Sequence, residues 1–191
     1  AILNLDLESG PWSNIREVPY GLEACVDDVR TIGYYIKEAF EHTTGEVAEV
    51  YIFDRNDGVS YVRLSTYGIP GSVGMFDGID IDICVVDPEK FAEMWAEPKP
   101  ELYLAFARDE DELAVVRENS LVSVLSSVGH ELGHLLTRLL SNAADEEAKA
   151  YAFEYAWCKA IEKNNIAGVG SNVVQKYLSM PDKEKYPYHY R

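Results

Sequence analysis

Two of the chain's four histidines fall in the stretch His130-Glu131-Leu132-Gly133-His134. On a helix, positions four apart lie on one face, a turn apart, so two imidazoles there can share one metal ion. The Glu131 carboxylate between them stands where it can activate a water on that metal. A zinc-type pair of this kind needs at least one more protein ligand and an open position for water.

The surroundings of the pair favour such a site. Ser123, Ser127, His130, His134 and Thr137 recur at steps of four, three, four and three inside an otherwise apolar pattern. A surface helix would carry Lys and Glu on such a stripe, whereas a small polar stripe on a mostly buried helix suits the floor of a cleft. Gly129 and Gly133 lie one turn apart, and each costs about 1 kcal/mol relative to Ala in a helix. Close approach of a neighbouring backbone is the simplest compensation.

The third ligand should come from the next helix, expected over residues 141–163. A short connection near Leu140 to Asn142 makes the two helices antiparallel neighbours. His134 and Glu147 then stand at similar heights on either side of the corner. Glu146 is the rival, rotated by about 100°. Ala150, Tyr151 and Glu154 share the side of Glu147, and Ala150 leaves room for close packing.

His130-Glu131-Leu132-Gly133-His134-Leu135-Leu136, followed by Glu147-Ala148-Lys149-Ala150-Tyr151-Ala152, resembles the glutamate-ligand zincins (gluzincins). It is most similar to the ImmA/IrrE-type metallopeptidases, which read His-Glu-x-Gly-His on one helix and Glu-Ala-Asn-x-Phe-Ala on the next. The resemblance covers the two last long helices. It implies that His130, His134 and Glu147 bind one zinc ion per chain and that Glu131 is catalytic. Lys149 and Tyr151 stand where that group usually carries Asn or Asp and Phe.

The expected activity is that of a zinc metallopeptidase, an endopeptidase acting on a peptide or protein substrate. Glu131 would serve as general base and later pass the proton to the leaving amine. An oxyanion donor is also required. The candidates are Tyr151, one turn after Glu147, and Tyr188 and His189 in the tail. A strand at a sheet edge, either 79–86 or 102–107, could bind an extended peptide by strand addition. The alternative is a catalytically inactive zinc-binding regulatory or interaction protein on the same scaffold.

The elements that must position these groups follow from periodicity. Residues 1–20 read as an extended lead-in. Leu22, Val26, Val29, Ile32, Ile36, Ala39 and Phe40 make one stripe of a helix over 22–42. Val47 to Phe53 and Val59 to Thr66 are strands of a hairpin, joined by a turn that ends in Asp57-Gly58. Residues 67–78 carry five glycine or proline punctuators and read as a loop, a candidate lid. Ile79 to Val86 alternates as a half-solvated strand. Its acids, with Asp77, lack calcium-loop spacing and read as a solvated face.

Asp87-Pro88 opens a short helix to Trp95, and 102–107 is a further strand. From Asp109 to Leu140 the pattern is helical, with a break near Glu118 to Ser120. Its core stripe is Leu121, Leu125, Val128, Leu132, Leu135 and Leu139. Residues 171–178 form a last short helix, and 181–191 are a tail. The fold class is therefore α+β, a single domain over 1–191. Its small, mostly antiparallel sheet precedes an active-site helix and a glutamate-bearing helix, an order that is zincin-like by resemblance.

Composition bounds the partners. A net charge of −16 argues against nucleic acid and anionic membranes and weakly favours a neutral or basic substrate. Apolar content of 47% is enough for a core, and no apolar run reaches membrane-spanning length. The first residues lack the basic start and apolar core of a signal peptide, so the expected compartment is cytoplasmic. Cys25, Cys84 and Cys158 are odd in number and far apart, which fits core thiols rather than a disulfide framework. Oligomeric state is not encoded in any pattern seen.

Overall fold

The computed structural model describes residues 16–18, 21–23, 29–66, 78–95, 98–137 and 139–173. They form an α+β fold with a mixed five-stranded sheet. The first elements are two short strands, β1 (Arg16–Val18) and β2 (Gly21–Glu23), paired antiparallel. Helix α1 follows (Val29–Thr44). The main strands are β3 (Ala48–Asp54), β4 (Ser60–Thr66), β5 (Asp80–Val86), β6 (Ala105–Arg108) and β7 (Leu113–Arg117). Helix α2 (Pro88–Met94) separates β5 from β6. Helices α3 (Leu121–Leu135) and α4 (Ala143–Asn164) close the described fold, apart from a short helical turn at its end.

The sheet order is β3-β4-β5-β7-β6. Three of its four pairings are antiparallel, and β5 with β7 is parallel. The β3–β4 hairpin runs in full register from Ala48 opposite Thr66 to Asp54 opposite Ser60. Helices α1 and α3 pack on one face of the sheet, and α4 packs on both of them. Ile81, Ile83, Val85, Ala114 and Val116 meet Ile36, Phe40, Leu125, Val128 and Trp157 in that core. The other face carries a smaller cluster in which Tyr61, Cys84, Val86, Leu113 and Val115 meet Phe91 of α2. Phe91, Trp95, Tyr103 and Phe106 extend it with stacked and edge-on ring contacts.

Several expectations need correction. Leu22 belongs to β2, opposite Glu17, and not to the first helix, whose described part begins at Val29. The lead-in likewise contains a strand. The helical pattern expected from Asp109 onward contains β7, and the helix proper starts at Leu121 and stops at Leu135. Leu139 therefore leaves the core stripe and is 44% exposed. Strand β5 is interior and buried on both faces, because the α2 aromatic cluster covers its second side. Asp82 is not solvated: it is buried and paired with Arg55 and Arg63.

Local signals did set the helix ends. Asp87 accepts from the Lys90 N–H at 2.7 Å and Pro88 occupies the first turn of α2. Asn142 caps α4 by accepting from the Ala144 and Asp145 N–H groups. Asn165 ends α4 in the left-handed region, at φ 49°. Cys84 and Cys158 are buried and form no disulfide among the described residues, and burial pushes the Cys84 thiol up to about 12. No helix among the described residues is long and apolar enough to cross a membrane.

Candidate metal centre

Helices α3 and α4 pack against each other, and two small residues let them approach closely. A Cβ on Gly133 would lie 2.7 Å from Ala150 Cα and 2.9 Å from its carbonyl oxygen. The expected backbone approach thus occurs at Gly133. At Gly129 the neighbour is instead the Trp157 ring, with Cδ1 2.5 Å from the Cβ position. Trp157 is fully buried, and its Nε1–H donates to the Leu125 carbonyl at 2.9 Å. Of the α3 polar stripe, His130 and His134 face α4 across a narrow gap.

Within that gap, His130, His134 and Glu147 bring one donor atom each to within 4.8 Å of one another. The Nε2 atoms of His130 and His134 are 3.3 Å apart. Glu147 Oε2 lies 3.4 Å from His130 Nε2, and Oε1 lies 3.6 Å from His134 Nε2. A tetrahedral zinc ion with Zn–N and Zn–O bonds of about 2.0–2.1 Å holds its donors about 3.3 Å apart. The separation of the two Nε2 atoms matches such an edge, and each ring has one Glu147 oxygen at a similar distance, Oε2 for His130 and Oε1 for His134; two imidazoles with a carboxylate are a set zinc accepts. The residues present therefore fit the ion.

The outer nitrogens are also engaged. His130 Nδ1 lies 3.2 Å from Glu154 Oε2, and His134 Nδ1 lies 2.8 Å from Glu146 Oε1. Glu146 Oε2 accepts from the Leu140 N–H at 2.8 Å, and Lys149 Nζ stands 3.0 Å from Glu146 Oε1. Lys149 also donates to the His134 and Thr137 carbonyls at 3.4 and 3.5 Å, so it ties α4 to the end of α3.

The electrostatics follow from four carboxylates around two rings. Burial opposes charge on His130, but hydrogen bonds to Glu147 and Glu154 outweigh it and lift its pKa to about 10. Burial holds His134 below its ordinary value, despite its bond to Glu146. Glu131 is 5% exposed, and burial raises its pKa to about 7. Burial pushes Glu146 up, but the Leu140 N–H, His134 and Lys149 together hold it below the ordinary carboxylate range.

Of the sequence candidates, His130, His134 and Glu147 come together with their donor atoms converging. Glu131 projects from the same helix into a buried position. Tyr151 packs on the site, its ring centroid 4.5 Å from that of His130. Tyr188 and His189 lie outside the described residues, as does loop 67–77. Glu146 does not join the three converging donors; it engages the far side of His134. Glu154 at His130 is the site residue whose role sequence reasoning missed, although its two-turn spacing from Glu147 already placed both on one side of α4. No protein-family model, no curated protein and no solved structure matches this chain.

Proposed function

We propose that this chain is a zinc-dependent metallopeptidase of the zincin type, with His130, His134 and Glu147 holding the ion. The observation that carries the reading is the convergence of those three donors at 3.3 to 3.6 Å from two facing helices. Bound there, zinc supplies Lewis acidity, polarising a carbonyl and acidifying water. Glu131 is the general base: its carboxylate takes the proton of the attacking water and returns it to the leaving amine. Tyr151, against His130, is the nearest described candidate for the oxyanion donor.

Strand β6 is an edge of the sheet and packs against α3. Of the two strands weighed for peptide addition, β5 is excluded by its interior place, so an extended substrate would pair with β6. The acidic chain favours a neutral or basic peptide there.

The test is zinc per chain, by elemental analysis, for wild type and Glu147→Ala, with a peptide-cleavage screen of wild type and Glu131→Gln. The expected result is about one zinc in wild type and in Glu131→Gln, less in Glu147→Ala, and cleavage by wild type alone. Full cleavage by Glu131→Gln would remove the general base. Bound zinc without cleavage of any peptide would favour the inactive zinc-binding regulator. Wild type that takes up no zinc when supplied with it would end the metal reading.

A further inference from the structure

Each imidazole has two ring nitrogens, and the metal site uses one. The Nε2 atoms of His130 and His134 face each other and Glu147. The Nδ1 atoms point away, and each meets a second carboxylate of α4: Glu154 at 3.2 Å from His130 and Glu146 at 2.8 Å from His134. Their side chains are 10% and 11% exposed. Burying a carboxylate costs free energy unless hydrogen bonds offset it. Glu146 recovers that cost from three groups, His134, Lys149 and the Leu140 N–H. The hydrogen bond found for Glu154 among the described residues goes to His130.

We propose that Glu154 and Glu146 are positioning residues, which keep a proton on each Nδ1 so that both Nε2 lone pairs converge with Glu147 on the ion. The inference rests on the zinc reading above. An imidazole that binds the ion gives up its Nε2 proton and keeps one N–H, and an acceptor beside Nδ1 holds that remaining proton there, leaving Nε2 to the ion. A carboxylate as that acceptor also fixes the ring's orientation and makes Nε2 a stronger donor. The arrangement has a mechanical consequence. The ligand Glu147 and both positioning groups sit on one rigid helix, within two turns. The carboxylates that meet the two rings are therefore all set by the packing of α4 on α3.

The test measures Zn²⁺ and Co²⁺ affinity of the full chain by competition with a chromophoric chelator. The proteins are wild type, Glu154→Gln, Glu154→Asp, Glu146→Gln and Glu147→Ala. Glu154→Gln is nearly isosteric and can still accept from Nδ1, but it lacks the charge. It should weaken zinc binding by about 10- to 100-fold, shift the visible absorption of bound Co²⁺, and leave the melting temperature of the metal-free protein near that of wild type. Glu154→Asp should recover part of the loss. Glu146→Gln should weaken zinc similarly and also lower metal-free stability, because it holds Leu140 and Lys149 as well.

Zinc affinity within twofold of wild type in both Gln variants, with binding lost in Glu147→Ala, would overturn the inference and leave the metal site standing. A fall in metal-free melting in Glu154→Gln with unchanged affinity would assign Glu154 a structural role and overturn it too. Failure of wild type to bind either ion would remove the zinc reading and this inference together.

Discussion

Gly133 and Ala150 touch backbone to backbone: a Cβ at 133 would come 2.7 Å from Ala150 Cα and 2.9 Å from its carbonyl oxygen. Neither atom can rotate away. Gly133→Ala should therefore push α4 off α3 at the level of His134 and Glu147. Overpacking of this kind costs about 1–3 kcal/mol, against a gain of about 1 kcal/mol in helix propensity. The expected outcome is a lower melting temperature and weaker zinc binding in the same variant. Gly33→Ala is the control. Its Cβ would meet side-chain methyls and no backbone, Ile52 Cδ1 at 3.1 Å and the Val62 methyls at 3.3 and 3.4 Å. That variant should stay within about 1 kcal/mol of wild type and bind zinc unchanged. Equal zinc affinity in wild type and Gly133→Ala would disprove the coupling.

Trp157 supplies the second clamp between the helices, one turn below the first. Its ring fills the space over Gly129 and its Nε1–H donates to the Leu125 carbonyl. Trp157→Phe removes the donor and part of the ring. The lost hydrogen bond is worth about 0.5–1.5 kcal/mol, and the vacated volume adds a cavity cost. Urea denaturation should show a lower midpoint with an unchanged slope. A midpoint at or above that of wild type would mean that the bond and the ring contribute nothing to the packing.

The His130–His134 pair, Glu147 and the two helix glycines were legible because helical spacing alone puts them in register. The third converging donor needed one further step, the short α3–α4 corner, and Glu147 reaches the two histidines even though that corner begins at Leu136 rather than Leu140. Strand β7 was illegible for a physical reason. Leu113 to Val116 are buried on both sides, between a parallel and an antiparallel neighbour, so they show no alternation. Asp82 misled in the other direction. Its alternation with isoleucines suggests solvent, but Arg55 and Arg63, distant in sequence, neutralise it where α2 and its aromatic residues cover the sheet. Glu154 needed the three-dimensional position of Nδ1.

Asp57 gives a pH signature independent of the metal. Burial slightly opposes its charge, but the Tyr61 hydroxyl donates to it at 2.6 Å and the Val59 N–H at 3.0 Å, and its pKa falls below the ordinary 3.8. A depressed carboxyl contributes stability that is present above the unfolded value and is lost as pH falls through the folded one. The window therefore lies below about pH 4. Asp57→Asn should be slightly less stable than wild type at pH 7, with the gap narrower at pH 3. Urea denaturation at the two pH values checks this. A gap that widens in acid would reverse the sign and refute the assignment.

Zinc should stabilise the fold itself, because its three proposed ligands come from two helices that unfolding separates. An ion bound only by the native state adds RT ln(1 + [L]/Kd), about 2.7 kcal/mol at a free concentration one hundred times Kd. For a domain of this size each kcal/mol raises the melting temperature by about 2–4 °C. Saturating zinc should therefore raise the melting temperature of metal-free protein by about 5–11 °C, and chelator should reverse the shift. Glu147→Ala should show little of it at the same zinc concentration, while Glu131→Gln should keep it in full, since Glu131 is assigned to the proton and not to the ion. A full shift in Glu147→Ala would place the third ligand elsewhere. Loss of the shift in Glu131→Gln would make Glu131 a ligand and leave the general base without a residue.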